Sequence, residues 1–410
     1  MNAPYIAAVT AAGPADDASM QPKVAAFGEW DTTNLGDRGI HQGVQAFLSD
    51  CGCDPRSYGV STLLPVQPEP ASGKVNGHSS TRRRVVSMLG RLPVLKRTLR
   101  AVRQHVRMRA LAESLEPARA VVVGGGALLT DIELHFPQSL VELARYARRS
   151  RKPLLCLGCS TEGEWSRQGE RMMREFLSSC NVVAVRDHAT AAELAPKLGA
   201  PPPVFGDFCL SKELALEDGG RNRSWREIAI NVSHLSGRWA SAQEHYEDTL
   251  VALANRLTRR TGNSSAGIRI FTTGLPEDAP AARRVLARID APGARLYLPE
   301  NLAQLSTMLA TSALVVSTRL HAAILALAAH VPVVGFSAAP KDRDFLATLG
   351  IRRYFHGLDD WPQLADALTA TNHDAIYAEQ RRALAHAPLW TEQARIRNEI
   401  RSLCGVNPCT

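Results

Sequence analysis

The sequence has no apolar run of the ~18 residues a membrane span needs; the longest candidate, 322–336, is interrupted by His330 and Pro332. Cysteine is scarce, with eight in 410 residues, which excludes a disulfide-held scaffold. Two short spacings, Cys51 with Cys53 and Cys156 with Cys159, lack the intact paired pattern of a structural zinc site. Both read as small buried thiols. No G-x-x-x-x-G-K-[S/T] phosphate loop occurs, and the 29 glycines show no three-residue period. One stretch combines a high density of basic residues with the absence of acidic ones. Between residues 71 and 112 lie eleven Lys or Arg and no Asp or Glu. Removing those eleven from the 48 basic residues leaves 37 against 40 acidic ones. The net charge of +8 is therefore local to one segment.

What is present points to folded domains. Hydrophobic residues make up 45% and charged residues 21%, a balance that excludes a disordered chain. Residues 1–22 form an Ala/Pro/Asp-rich leader without a basic n-region, and Asp16 and Asp17 make it a poor signal peptide. The expectation is a cytoplasmic protein. Short apolar runs such as 24–27, 120–123, 154–157 and 182–185 alternate with helical periodicity, for example Leu140, Leu143, Ala144 and Ala147. The same alternation resumes at 228–232 and continues through 268–271, 295–298, 313–316 and 331–336. Such a pattern predicts parallel βαβ units with both sheet faces covered. The reading is α/β: two αβα, Rossmann-like domains with an interdomain cleft. Their boundaries are 23–210, carrying a basic insert at 72–112, and 227–375. A linker at 211–226 joins them, and a helical tail at 376–410 closes the chain, with helices expected at 361–369 and 374–403.

In open parallel sheets, ligands bind beyond the carboxyl ends of the strands. That rule selects Asn34 and Asp37 after the first strand, and Gly124, Gly125 and Gly126 after the second. It also selects Arg186 after 182–185, and Arg319, Leu320 and His321 after 313–316. The glycine triplet is either a tight turn or a place where backbone approaches a ligand. Asp37 is either a helix cap or a base for an attacking hydroxyl. Arg319 and His321 together offer a fixed cation and an imidazole that can give and take protons near neutrality.

Read in order, these residues resemble the polysaccharide pyruvyl transferase family. The resemblance is carried by Asn34-Leu-Gly-Asp37, the glycine triplet, Val185-Arg186-Asp187, Asp207, Arg319-Leu320-His321-Ala322 and Lys341. It departs at 154–165, where many members carry a Gln- and Pro-containing loop and this chain reads Cys156-Leu-Gly-Cys159-Ser-Thr-Glu-Gly-Glu-Trp165. The resemblance implies a fold like that of GT-B glycosyltransferases, phosphoenolpyruvate as donor, and two hydroxyls of a glycan or lipid-linked glycan as acceptor. The product is a pyruvate ketal, and no metal or cofactor is required. It assigns Arg186, Arg319, Leu320, Lys341 and the glycine triplet to the donor, His321 and Arg319 to catalysis, and Asn34 and Asp37 to the acceptor. The alternative is a sugar-nucleotide glycosyltransferase of GT-B type.

The basic segment has its own reading. From Val85 through Val106, apolar residues recur at three- and four-residue steps with Arg and Lys between them. That is a basic amphipathic pattern suited to an anionic membrane surface over 82–109. The other reading packs the apolar stripe on the first domain and leaves the charges solvated. Apart from histidine the segment contains no aromatic residue for base stacking, so no nucleic-acid partner is expected.

Overall fold

The computed structural model describes residues 21–66, 93–210, 227–260, 267–336, 340–357 and 373–406, with 360, 362 and 364. The apolar runs form strands and the periodic segments form helices. Five strands, β1 (Lys23–Gly28), β2 (Asp54–Gly59), β3 (Ala118–Thr130), β4 (Leu154–Glu162) and β5 (Val182–Val185), pair in parallel in the order β2-β1-β3-β4-β5. Between and after them in the chain come α1 (Leu35–Asp50), α2 (Pro93–Leu115), α3 (His135–Arg149), α4 (Arg167–Ser178) and α5 (His188–Leu198). Because a parallel sheet has helices on its faces, its strand residues are apolar on both sides. Phe27, Val121, Val123, Leu143, Met173 and Phe176 share one core.

A second all-parallel sheet has the order β11-β10-β9-β6-β7-β8. Its strands are β6 (Glu227–Asn231), β7 (Gly267–Phe271), β8 (Arg295–Tyr297), β9 (Leu314–Ser317), β10 (Val333–Phe336) and β11 (Phe355–His356). The intervening helices are α6 (Gln243–Arg260), α7 (Asp278–Arg288), α8 (Leu302–Ala310), α9 (Leu320–Ala328) and α10 (Pro340–Thr348); α11 (His373–Ala385) and α12 (Leu389–Cys404) follow. Ile230, Tyr246, Leu250, Ile270, Val316 and Phe336 fill its core. Both sheets with their helices make an α/β fold.

By contacts the chain divides into two units. One gathers Thr32–Gly43 with Phe208–Trp390, and the other gathers Val44–Asp207 with Thr391–Thr410 and the strand before Asp31. Sequence order alone assigns Asn34 and Asp37 to the first domain, whereas their contacts assign them to the unit of β6–β11. The reason is visible in α1. Gly36, Gly39 and Gly43 recur at three- and four-residue steps, and added Cβ atoms there would meet His321, then Cys209 and Leu325, then Phe208. A helix face without side chains can lie this close to its neighbours.

Two further differences have local causes. β3 does not end at the glycine triplet but runs on to Thr130, with Gly125 and Gly126 at φ 73° and 76°. The register with β4 shifts between Gly126 and Leu129, so the glycines form an irregularity inside a strand rather than a turn into a helix. The helix expected at 374–403 is two, α11 and α12, because Pro388 cannot continue the first. Most of the helix expected at 361–369, and the segments 1–20, 67–92 and 211–226, lie outside the described residues.

Burial pushes the His41 imidazole on α1 down to about 4. A base whose folded value is depressed stabilises the fold fully above its ordinary value near 6.5, and that stability is lost as pH falls toward 4. The difference corresponds to about 3 kcal/mol. Urea titrations at pH 7 and pH 4.5 should therefore show a smaller acid loss for His41→Gln than for wild type. An identical acid loss in both proteins would remove His41 from the account.

Candidate functional site

The carboxyl ends of β6, β7 and β9 are joined by a buried polar network. Asp278, the first residue of α7, has 0% exposure, yet it is a carboxylate. Its two oxygens accept from Arg319 Nε at 2.9 Å and Arg319 Nη2 at 2.7 Å, and Oδ1 also accepts the His234 backbone N–H at 2.7 Å. The first turn of α7 adds a favourable helix-end field. Arg319 itself stands just before α9 in extended conformation, and its carbonyl accepts from the Ser317 hydroxyl at 2.6 Å. One edge of the guanidinium is thus committed to Asp278, and its Nη1 end makes no hydrogen bond among the described residues. Beside it, Tyr246 from α6 donates to Thr318 Oγ1 at 2.9 Å and accepts the Ser233 N–H at 2.9 Å. Thr318 in turn donates to the Asn231 carbonyl at 2.9 Å. Burial pushes the Tyr246 phenol up, which keeps it neutral.

Two residues beyond Arg319, His321 lies in the first turn of α9, with Leu320 buried before it. The start of α1 packs directly on this imidazole. A Cβ on Gly36 would come within 2.5 Å of His321 Cγ and 2.6 Å of Nδ1. That start is anchored by the Leu35 N–H, which donates to the Thr273 carbonyl at 2.8 Å after β7. Asn34 caps α1: its Oδ1 accepts the Gly36 N–H at 3.1 Å, while its amide donates to Asp37 Oδ2 at 2.9 Å. Of the residues selected from sequence, Asn34, Asp37, Arg319, Leu320 and His321 therefore share one unit, with Gly36 bridging them to the imidazole.

The other unit holds Arg186 and the glycine triplet. Arg186 follows β5, is buried, and its Nε lies 3.3 Å from Asp187 Oδ2. Asp187 Oδ1 caps α5 by accepting the Thr190 N–H at 2.8 Å. Gly124, Gly125 and Gly126 are buried within β3. Lys341 falls in the first turn of α10, and its side chain lies outside the described residues. A further cluster sits at the carboxyl ends of β1 and β2. The Ser61 hydroxyl donates to the Glu29 carboxylate, and His135 Nε2 lies 2.7 Å from the same hydroxyl. Burial, with Arg100 nearby, holds the His135 imidazole below its ordinary value, so it is neutral near pH 7 and its Nε2–H can be the donor. Among the described residues no group of three or more His, Cys, Asp or Glu side chains is arranged to hold a metal.

The family model for polysaccharide pyruvyl transferase matches residues 36–339. The chain belongs to that family. No curated protein matches the sequence. Among solved structures, the chain is similar to S. aureus MnaA with UDP, at 11% identity and a TM-score of 0.55, covering 95% of this chain and 98% of that one. It is similar to a UDP-glucosyltransferase from Polygonum tinctorium at 11% identity and TM-score 0.52, covering 94% and 99%. It is also similar to the UDP-GlcNAc 2-epimerase from Neisseria meningitidis bound to UDP-GlcNAc, at 10% identity and TM-score 0.52, covering 93% and 100%. At such identities the likeness is one of fold, the GT-B type shared by glycosyltransferases and these epimerases.

For this pyruvyl transferase family member, the matched span takes in Gly36, Arg186, Arg319 and His321. Sequence reasoning selected Arg319 and His321 but missed the groups that hold them. Asp278 leaves a weak signal, an acidic residue opening a helix after the Thr273-Gly-Leu-Pro-Glu277 loop. The glycine face of α1 leaves a clearer one in its spacing. Tyr246, Thr318, Glu29, Ser61 and His135 carry no signal beyond their places near strand ends or on a core-facing helix.

The tight approach at Gly36 makes a direct test possible. In a helix interior Gly→Ala ordinarily stabilises by about 1 kcal/mol. Here the new methyl must displace either α1 or the His321 ring. We expect Gly36→Ala to be destabilising instead, read as a lowered thermal midpoint. Asp278→Ala should lower stability by about 1–3 kcal/mol, because it strips the His234 N–H and the Arg319 edge of their acceptor. Wild-type melting of Gly36→Ala would contradict the packing described.

Proposed function

We propose that this chain transfers the enolpyruvyl unit of phosphoenolpyruvate to two hydroxyls of a glycan, closing a pyruvate ketal and releasing phosphate. The observation that carries the reading is the His321 imidazole, placed two residues past Arg319 at the N-terminus of α9 and packed against the Asn34–Asp37 turn of α1. Family membership supports the transferase class. The helix N-terminus favours an anion, and the uncommitted end of Arg319 offers further donors for a carboxylate or phosphate oxygen. Lys341, in the first turn of α10, is assigned to the remaining charge of the donor.

In the proposed reaction His321 delivers a proton to the donor methylene carbon, which makes C2 electrophilic. A first glycan hydroxyl attacks C2, the C2–O bond to phosphate breaks, and the second hydroxyl closes the ring. The methylene gains one proton and the two hydroxyls lose one each, the second leaving with the phosphate. Asn34 and Asp37, adjacent to Gly36 and therefore to the imidazole, are assigned to the glycan hydroxyls. The glycan is either polymeric or lipid-linked.

Phosphate release from phosphoenolpyruvate, screened over free and lipid-linked glycans, tests the reaction. Proton transfer from a placed side chain is worth about 10²–10⁴ in rate, so His321→Ala should lose about that factor while keeping donor affinity. Arg319→Lys should weaken donor binding in calorimetry, because an ammonium cannot hold both Asp278 oxygens and a ligand. Release of a nucleoside diphosphate from a sugar nucleotide, without phosphate release from phosphoenolpyruvate, would overturn the proposal in favour of a glycosyltransferase.

A further inference from the structure

The basic segment offers a separate inference that does not depend on the transfer reaction. Helix α2 is pinned to its unit along one face. Gln104, Met108, Leu111 and Leu115 are buried there, the last three in the core of the β1–β5 sheet. Gln104 Nε2 donates to the Ser61 carbonyl at 2.8 Å, and Arg100 Nη1 donates to the Glu133 carbonyl at 2.7 Å. At about 100° per residue, Leu99, Val102 and Val106 fall within about 60° of one another on the opposite face. Their exposures are 49%, 57% and 59%. These three residues of the stripe therefore face solvent rather than the domain, against the reading in which they pack inward; the exposure of its earlier part, from Val85 to Leu95, lies outside the described residues. Arg103 and Arg109, both exposed, flank the stripe on either side.

Six large apolar side chains are exposed among the described residues, and five belong to this unit. Besides the three on α2 they are Leu64 and Ile132. These lie on the two loops to which Gln104 and Arg100 tie the helix, a few residues from Ser61 and next to Glu133. The stretch 71–112 carries no acidic residue; the one acid of α2, exposed Glu113, lies on this face one turn beyond Arg109, at the end of the helix away from Leu99. No described helix is long and apolar enough to cross a bilayer. An apolar strip bordered by arginines is the form that lies in a headgroup layer, with the side chains reaching the acyl boundary and the guanidinium groups meeting phosphates.

We propose that the outer face of α2 docks this protein on an anionic lipid surface, Leu99, Val102 and Val106 entering the headgroup layer and Arg103 and Arg109 pairing with lipid phosphates. The field of such a surface acts within a Debye length and contributes about fivefold in partition per basic side chain. The full chain is sedimented with phosphatidylglycerol-rich vesicles and with phosphatidylcholine vesicles, at low and high salt. Wild type should pellet only with the anionic vesicles and return to the supernatant at high salt. Arg103→Gln with Arg109→Gln should weaken that partition about 25-fold. Leu99→Ser with Val102→Ser and Val106→Ser should weaken it about tenfold or more. All five positions are exposed, so each variant should keep the thermal unfolding of wild type. Wild type remaining in the supernatant at low salt overturns the proposal, as does undiminished binding by the serine variant. Light scattering supplies the third arm. Wild-type self-association that the serine substitutions abolish, with no vesicle binding, would assign the stripe to a second copy of this chain and overturn the lipid reading.

Discussion

A carboxylate with no solvent exposure must be fully compensated, and Asp278 is such a group. An unpaired buried charge costs several kcal/mol, so the fold around it is tightly specified. Its partners come from three different loops: Arg319 after β9, the His234 N–H after β6, and its own helix start after β7. These are the central strands of the second sheet, in the order β9-β6-β7. Satisfying Asp278 therefore fixes the three strand ends relative to one another. The Tyr246–Thr318–Asn231 bonds lock the same ends from the α6 side. His321 inherits its position from this arrangement, since it follows Arg319 by two residues in the first turn of α9.

The second constraint is steric. A helix start can be brought against an imidazole ring only if it presents no side chain there, and Gly36 supplies that condition. The consequence is chemical as well as structural. The Asn34–Asp37 turn, with a carboxylate and an amide bonded to each other, is held next to a group able to move protons. Capping at this turn is shared between two side chains. Asn34 satisfies the helix start, and Asp37 holds the Asn34 amide in the orientation that allows it. Loss of the Asp37 carboxylate would thus disturb both the cap and the surroundings of His321.

Most of the architecture was legible because strands buried on both faces read as short continuous apolar runs, and 120–123, 182–185 and 313–316 are of that kind. Arg319 and His321 were legible because strand ends in parallel sheets are where ligands bind. What was illegible depended on tertiary pairing. Nothing local marks Asp278 as buried. The glycine triplet looks like a turn until β4 is seen to pair beyond it with Leu129 and Thr130. Thr32–Gly43 follows β1 in the chain, yet only its contacts reveal that it packs with residues nearly three hundred positions later. Pro388 is a different kind of miss: the helix expected from sequence runs through it, although a proline there divides the terminal helical pattern for an ordinary covalent reason.

The two arginines selected for the donor turn out to share a design. Arg319 is held by Asp278 and Arg186 lies beside Asp187. A guanidinium paired in this way is not a bare cation. The pair is close to neutral as a whole, which makes burial tolerable before any ligand arrives. What the carboxylate supplies is orientation, since a planar group held along one edge points its remaining N–H donors in a fixed direction. Preorganised donors of this kind need not reorient as charge develops on a ligand, which is where much of their value lies. The same pairing leaves neither guanidinium with a full net charge. A helix N-terminus such as that of α9, which begins directly after Arg319, adds an oriented dipole with no carboxylate to offset it, so orientation and net charge are supplied by different groups.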